Sequence, residues 1–388
     1  MRRQVGESSL LIHGCACHGP GYLAAQRRQI LRVSDLRTAG PSPLARPAGL
    51  TVIDLHNHVM APEVEALIAD HPEKRRLQAL QAPASPASQA SDRQLFLDSV
   101  PRMTIAANRI ADMDAMGVDI QVLSPSPTQY CYWADPDLSA RLVTIQNECV
   151  IQFCREHPER FLGFGAVSLQ HPDLAADQVR EVMAHSEMKG VQISTMAGGR
   201  ELADPGLETF WTACEATRAV VFIHPLGTSL GPRFDPFYLS NTAGHPIETT
   251  LALSKLILGG VLDRHPRLLI CAAHGGGYLP MYFGRADHAW LVQEDAHSCA
   301  RQPSDYLRSL YFDSLVFASQ QLRGLADSVG YSQIVLGTDY PFDMGSYEPL
   351  ALTAEPLFSA EEQAAILGGN ARRLLGLDPA SSGARSTH

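Results

Sequence analysis

Residues 50–58 have the sequence Leu-Thr-Val-Ile-Asp-Leu-His-Asn-His, a short apolar run that ends in His56 and His58. Residues two positions apart on a strand point to the same side, so both imidazoles can reach one metal ion. Three later strand-like runs are each followed by a residue that can bind a metal or carry a proton: His224, His274 and Asp339. Structural zinc sites usually use local cysteine clusters instead, so this series predicts a catalytic metal site.

From residue 50 onward, eight apolar strand candidates alternate with helix-length patterns. The strand candidates are 50–56, 119–124, 161–167, 189–194, 219–224, 268–273, 310–314 and 333–338. The helical patterns fall near 105–116, 137–157, 172–186, 205–217, 246–263, 278–294, 318–329 and 360–375. This alternation predicts the α/β class and a parallel (β/α)8 TIM barrel with helices outside. A doubly wound sheet would need a glycine-rich turn after the first strand, where this chain has His-Asn-His.

The chain divides unevenly around this barrel, which we expect to span residues 49–378 of the 388. Residues 1–48 are rich in arginine and show no strand or helix pattern. We expect a disordered leader or a mis-assigned start there, although the composition also suits an organellar transit peptide. Residues 61–104 fit no strand–helix unit, which predicts a small insertion after the first strand, a partly mobile lid. Residues 379–388 are predicted to form a tail.

Composition and charge exclude several classes of partner. The net charge of -10 and the pI near 5.8 argue against nucleic acid, because phosphate binding requires a basic surface. No stretch approaches the roughly 20 apolar residues that span a bilayer, so we expect no membrane partner. The eight cysteines do not resemble a disulfide framework, which predicts a reducing, cytoplasmic location.

The predicted barrel brings the candidate site residues together, because the carboxyl ends of its strands surround one mouth. We predict that a metal is bound by His56, His58, His224 and Asp339. His274 precedes three glycines that let a substrate approach closely, and imidazole suits proton transfer, so His274 is the candidate acid or base. Each residue also has a structural alternative: a strand-end histidine can simply be hydrogen-bonded, and Asp339 before Tyr-Pro can shape a turn.

Several motifs together resemble one known family. They lie at residues 53–58, 109–119, 224–225, 274–277, 284–287, 311–314 and 337–342. Over about residues 50–375, the sequence resembles the metal-dependent decarboxylase branch of the amidohydrolase superfamily, and most closely the aminocarboxymuconate-semialdehyde decarboxylases. His-x-His alone is shared by the whole superfamily, so the combination carries the resemblance.

The resemblance implies a distorted (β/α)8 barrel that binds one zinc ion through the four predicted ligands and a water. His274 corresponds to the family's catalytic histidine, with Asp339 beside it in the reaction. The first motif is His-x-His rather than Glu-x-His, which favours zinc over manganese. Arg285 matches an arginine that reaches the substrate carboxylate across a dimer interface, so a homodimer is implied; Arg285 could instead pair with Asp287 or Asp343.

Substrate contacts are less well defined by the sequence. For a second substrate-binding arginine, the insertion offers Arg93 and Arg102. Phe342 is a predicted substrate contact, and further aromatic walls could come from Phe237, Tyr238 and Trp211. The family's aromatic residue after His-Pro is replaced by Leu226-Gly227, which implies a different pocket shape.

The function that these residues predict is non-oxidative decarboxylation of a small unsaturated or aromatic carboxylic acid, such as an aminocarboxymuconate semialdehyde or a hydroxybenzoate. The main alternative is a hydrolase of a lactone or amide, because the same metal site can activate water. A hydratase acting on an unsaturated acid and a non-catalytic barrel that has lost its metal are further alternatives.

Overall fold

The computed structural model describes residues 33–36, 42, 49–81, 86–234, 236–354 and 356–378. Its centre is a sheet of parallel strands that lie side by side in the order in which they occur along the chain. The strands are β1 (Ile53–Val59), β2 (Ile120–Pro125), β3 (Phe161–Gly165), β4 (Met188–Ile193), β5 (Met196–Ala197), β6 (Arg200–Glu201), β7 (Val220–Ile223), β8 (Leu269–Ala272), β9 (Tyr311–Asp313) and β10 (Ile334–Val335). Strands β5 and β6 form a small antiparallel hairpin, and the other eight pair in the order β1-β2-β3-β4-β7-β8-β9-β10.

The barrel closes where the first strand meets the segment after the last. Leu55 N–H donates to the carbonyl of Leu336 at 2.9 Å, and His58 N–H donates to that of Tyr340 at 2.8 Å. A parallel bridge between Asn57 and Tyr340 continues this pairing. The predicted (β/α)8 TIM barrel is therefore confirmed. Strand β1 lies three residues further along than the predicted 50–56, so both of its histidines lie inside the strand.

Helices follow most of the strands, as predicted. They are α1 (Pro62–Ile68), α2 (Pro72–Gln81), α3 (Pro86–Thr104), α4 (Ala106–Met116), α5 (Pro136–Glu156), α6 (Pro172–Met183), α7 (Glu208–Thr217), α8 (His245–Leu258), α9 (Val261–Arg264), α10 (Leu279–Val292), α11 (Pro303–Leu307), α12 (Ser319–Val329), α13 (Ala360–Ala364) and α14 (Asn370–Leu374). The predicted helix at 246–263 divides into α8 and α9 because Gly260 has a positive φ of 67°, which a right-handed helix does not accommodate.

Aromatic side chains fill part of the barrel interior. Phe164 of β3 and Phe222 of β7 stack across the intervening β4, with ring centroids 6.0 Å apart, and both are fully buried. The Phe222 ring also contacts the imidazole of His56, at 5.0 Å between centroids. This packed layer supports the residues at the carboxyl end of the barrel.

The insertion after β1 is helical rather than irregular. Residues 61–104 contain α1, α2 and the long helix α3, although residues 82–85 lie outside the described part of the chain. The buried hydroxyl of Ser99 in α3 donates to the carbonyl of Pro341 at 3.1 Å. This contact fixes the second half of α3 beside the segment that carries Asp339.

A short part of the predicted leader packs against the barrel. Val33 and Leu36 are buried in the main hydrophobic core, and the guanidinium of Arg102 donates to the carbonyl of Val33 at 3.4 Å. The remainder of 1–48, apart from residues 34, 35 and 42, and the predicted tail 379–388 lie outside the described residues. Among the described helices, none has the length and apolar character needed to cross a membrane.

Candidate metal centre and active site

The five residues predicted from strand ends meet at the carboxyl end of the barrel. His56 and His58 lie in the second half of β1, and His224 directly follows β7. His274 begins a short turn after β8, and Asp339 lies in the segment that follows β10. Ligand atoms of four of them lie within 4.8 Å of one another: His56, His224, His274 and Asp339.

His58 borders this group of four. Its Nε2 lies 3.2 Å from Oδ1 of Asp339, and its ring centroid lies 4.8 Å from that of His224. Four histidines and Asp339 therefore lie around one centre, which is one nitrogen more than a site with four ligands requires. His58 is near Oδ1 of Asp339 and His274 is near Oδ2. Oδ2 of Asp339 lies 3.7 Å from Nε2 of His274.

The nitrogens and the carboxylate oxygen at this centre fit a divalent metal ion. Within the described part of the chain, several buried polar atoms there have no hydrogen-bond partner: Nε2 of His56, both ring nitrogens of His58 and of His224, Nδ1 of His274 and Oδ1 of Asp339. Each such atom costs roughly 1–3 kcal/mol unless something satisfies it. Imidazole nitrogens with one carboxylate form a donor set that binds zinc and similar cations.

The carboxylate of Asp313 orients the first of these histidines. Its Oδ2 lies 2.6 Å from Nδ1 of His56, which places the proton of the ring on that side and directs the lone pair of Nε2 toward the centre. Asp313 is not among the site residues predicted from the sequence. It ends β9, so the strand-end criterion that selected the others could have found it.

Charge at the centre is concentrated on His56 and the two aspartates. Burial alone would lower the pKa of His56, but the carboxylates of Asp339 and Asp313 outweigh burial and raise that pKa to about 10. Burial lowers the pKa of His58 to about 4 and the pKa of His224 well below its usual range. Burial opposes ionisation of Asp339, yet the charge of His56 and the nearby imidazoles of His274 and His58 hold its pKa well below its usual range. The two aspartates therefore attract a cation to Nε2 of His56, either a proton or a metal ion.

A buried polar network positions the strand that carries His56 and His58. The guanidinium of Arg109 in α4 donates to Oδ1 of Asn57 at 3.0 Å, to Oε1 of Gln121 at 2.8 Å and to the carbonyl of His58. Asp54 accepts hydrogen bonds from Gln121 and from both the backbone and the hydroxyl of Thr338. These contacts satisfy the polar residues of β1 and fix its position relative to the last strand.

Two cavities adjoin the centre. One, of about 170 Å³, is lined by His224, Asp339, Phe342 and Leu95 among others, and the second, of about 340 Å³, is lined by His274 and mainly apolar residues. Phe342 also lies against the His58 ring, with centroids 5.2 Å apart. His245 also lines both cavities. It is not among the predicted site residues because it begins a helix rather than ending a strand.

The other predicted substrate residues are placed less favourably. Arg285 is exposed on α10 and forms no hydrogen bond or ion pair with the described residues, including Asp287 and Asp343. Arg102 forms an ion pair with Asp112, with 2.8 Å between its Nε and Oδ2 of the carboxylate. Arg93 is exposed on α3.

Of the proposed aromatic walls, two are corrected by the structure. Trp211 is buried in the core, where its indole N–H donates to the carbonyl of Leu202 at 3.0 Å, so it does not line the mouth. Phe237 is 90% exposed, which leaves it in solvent rather than in a packed wall. Tyr238 does line the smaller cavity, and its hydroxyl contacts Asp343.

The chain is similar in sequence and in fold to several known proteins. The protein family described as Amidohydrolase matches residues 53–377. A 2-amino-3-carboxymuconate-6-semialdehyde decarboxylase from Dictyostelium discoideum is 36% identical over 274 residues, which cover 70% of this chain and 76% of that protein. A gamma-resorcylate decarboxylase from a Rhizobium species is 26% identical, covering 72% of this chain and 89% of its own length. The crystal structure of a 5-carboxyvanillate decarboxylase from Sphingomonas paucimobilis superimposes with a TM-score of 0.72 and 26% identity, covering 84% of this chain and 99% of that one.

Proposed function

The chain belongs to the amidohydrolase family and, within it, to the metal-dependent decarboxylases. From this premise we propose that it is a zinc-dependent, non-oxidative decarboxylase of an unsaturated or aromatic carboxylic acid. The observation that carries the proposal is the group of buried, unpartnered histidine nitrogens around Asp339 at the carboxyl end of the barrel. Relatives that act on carboxylated dienes and on aromatic acids support the substrate class.

Each residue of the centre has a distinct part in this reaction. His56, His58, His224 and Asp339 would hold the metal, which acts as a Lewis acid toward an oxygen of the substrate when bound. The carbon–carboxylate bond breaks, CO2 leaves, and its electron pair stays on the substrate carbon. His274 gives that carbon a proton, and Asp339, 3.7 Å from His274 Nε2, positions the imidazole for this transfer.

The geometry also allows a second assignment of the ligands, in which His274 binds the metal and His58 does not. The variant His274→Ala distinguishes these two ligand assignments. If His274 carries the proton, His274→Ala keeps its zinc and loses CO2 release by at least about 100-fold, the usual scale of acid–base catalysis. If His274 is a ligand, the same variant loses its zinc.

The experiment measures the metal content and the CO2 release of the zinc-loaded protein with carboxymuconate semialdehydes, hydroxybenzoates and hydroxyisophthalates. His185→Ala is the matched control, because His185 lies outside the site and contacts Arg155. Retained CO2 release in His274→Ala would remove the assigned role. A ring-opened acid without CO2 would identify a lactone or amide hydrolase instead.

The identity of the metal is the finer part of the proposal. The His-x-His pair of β1 favours zinc, with manganese as the alternative, because imidazole ligands suit zinc and carboxylate ligands suit manganese. Metal analysis of the purified protein, followed by reconstitution of the metal-free protein with each ion, distinguishes them. Higher activity with manganese than with zinc would overturn the zinc assignment.

A homodimer would bring Arg285 to the site of the other subunit. Arg285 is exposed on α10 together with the large apolar side chains of Met281, Tyr282, Leu291 and Val292, and Tyr278 is exposed just before the helix begins. Such a surface is typical of protein–protein contacts. Sedimentation velocity should show that the wild type is a dimer and that Tyr282→Asp is a monomer. Arg285→Ala should raise the KM for the substrate without lowering the zinc content of the protein.

A cytoplasmic location is also proposed. The six described cysteines are unpaired, as expected of a protein in a reducing compartment. Detection of the protein in an oxidising compartment would contradict this part of the proposal.

A further inference from the structure

His245 lies between the two cavities that adjoin the metal centre. It is the first residue of α8 and lines both the 170 Å³ cavity, with His224 and Asp339, and the 340 Å³ cavity, with His274. Its imidazole stacks on that of His274, with centroids 6.0 Å apart and an angle of 19° between the planes. A side chain in this position contacts whatever occupies the space beside the candidate acid.

A hydrogen bond fixes which ring nitrogen of His245 carries the proton. The backbone N–H of Gly227 donates to Nε2 of His245 at 3.1 Å. Because Nε2 accepts this bond, it carries no proton, and the neutral ring bears its proton on Nδ1.

The N–H that remains is available to a ligand. Within the described residues, Nδ1 of His245 forms no hydrogen bond. The larger cavity has a mainly apolar lining that includes Met281, Leu315 and Val316. In such surroundings a hydrogen bond to a substrate atom discriminates strongly between ligands that can accept it and ligands that cannot.

We propose that His245 is a specificity-determining residue whose Nδ1–H donates a hydrogen bond to an oxygen substituent of the substrate, a ring hydroxyl, a carbonyl or a second carboxylate. The inference rests on the proposed function for the placement of the substrate between His274 and the metal ligands. It selects, within the carboxylic acids, those that carry an additional oxygen near the carboxylate to be lost.

Two substitutions separate this donor from the structural contact with Gly227. The amide of His245→Gln extends to the position of Nε2, so it keeps an acceptor for the Gly227 N–H and loses the donor at Nδ1. The shorter amide of His245→Asn lies near the position of Nδ1, so it keeps the donor and loses the contact with Gly227. A residue with only a structural role would be more sensitive to Asn than to Gln.

The experiment measures by calorimetry the dissociation constants of 2,6-dihydroxybenzoate and benzoate with the zinc-loaded wild type and both variants. We expect the wild type to bind the dihydroxy acid more tightly than benzoate. The ratio of the two dissociation constants should fall about tenfold in the Gln variant and stay unchanged in the Asn variant. An unchanged preference in the Gln variant, an equal loss in the Asn variant, or a wild type that binds neither acid or shows no preference would overturn the inference.

The same ligands distinguish this inference from the proposed function. Release of CO2 from 2,6-dihydroxybenzoate and the other acids of the panel is measured separately. Selective binding that depends on His245, without CO2 from any acid, would leave the specificity role standing and remove the decarboxylase.

Discussion

At the scale of single residues, the carboxylate of Asp313 organises both sides of the metal centre. Its Oδ2 contacts Nδ1 of His56 and accepts the backbone N–H of His274 at 3.0 Å, while its Oδ1 accepts the N–H of Gly275 at 2.8 Å. His274 has a positive φ of 55°, a conformation that a non-glycine residue adopts only where its surroundings enforce it. One buried carboxylate therefore orients a metal ligand and holds the candidate acid in place.

We predict that Asp313→Asn weakens metal binding about 10- to 100-fold. An amide has a single acceptor oxygen, so it cannot accept from His56 and from the three backbone N–H groups of His274, Gly275 and Leu315 as the carboxylate does. Titration of the metal-free variant with Co²⁺, followed by its visible absorption, measures both the affinity and the ligand geometry. Asp295→Asn changes an exposed aspartate outside the site and should bind as the wild type does. An unchanged affinity in Asp313→Asn would show that its contacts with His56 and His274 do not matter for the metal.

At the scale of secondary structure, the sequence predicted the elements better than their buried polar contacts. Strand β1 was expected at 50–56 because its apolar residues end there, but the strand continues to Val59 through His56, Asn57 and His58. No local pattern shows that Arg109, 52 positions from Asn57, satisfies these residues from another element. His245 was missed for a similar reason, since Gly227 and His274 meet it only in the folded chain.

Helix α4 shows how an outer element stabilises the strand that carries His56 and His58. Arg109 is fully buried, and the N–H groups of its two terminal nitrogens reach three acceptors on β1 and β2, while its Nε donates to the carbonyl of Arg102 at 3.3 Å. Its guanidinium also lies over the Tyr340 ring, 4.7 Å from the centroid. A lysine ammonium is a compact donor that cannot reach all of these groups.

Arg109→Lys should therefore lower the free energy of unfolding by about 3 kcal/mol, because buried acceptors lose their partners. Urea unfolding followed by circular dichroism measures the loss. Arg141→Lys is the matched control: Arg141 is exposed on α5 without a described hydrogen bond or ion pair, and the change should stay within about 0.5 kcal/mol. Equal stability of the two variants would contradict the role given to Arg109.

At the scale of the whole molecule, the metal centre lies across the closure of the barrel. His56 and His58 belong to the first strand, and Asp339 follows the last, so one ion bound to all three would join the two ends of the sheet. The strand order that predicted a barrel also predicted this meeting of distant residues, because parallel strands place their carboxyl ends around one mouth. The sequence places Asp313 at a strand end, but its contacts with His56 and His274 are formed only in the folded chain, so no local pattern shows that it orients them.

Because the ion binds only the folded barrel, metal removal should lower the melting temperature of the whole domain. Binding to the native state alone stabilises it by about 2.7 kcal/mol when the free metal is 100 times its dissociation constant, which corresponds to several degrees. We expect scanning calorimetry to show a lower midpoint with EDTA than with zinc. Asp339→Asn should respond less to either addition, since the carboxylate that connects the last strand to the ion is lost. A wild-type midpoint that is the same with zinc and with EDTA would show that the histidines and Asp339 do not bind an ion together, and the function proposed for the centre would fail with it.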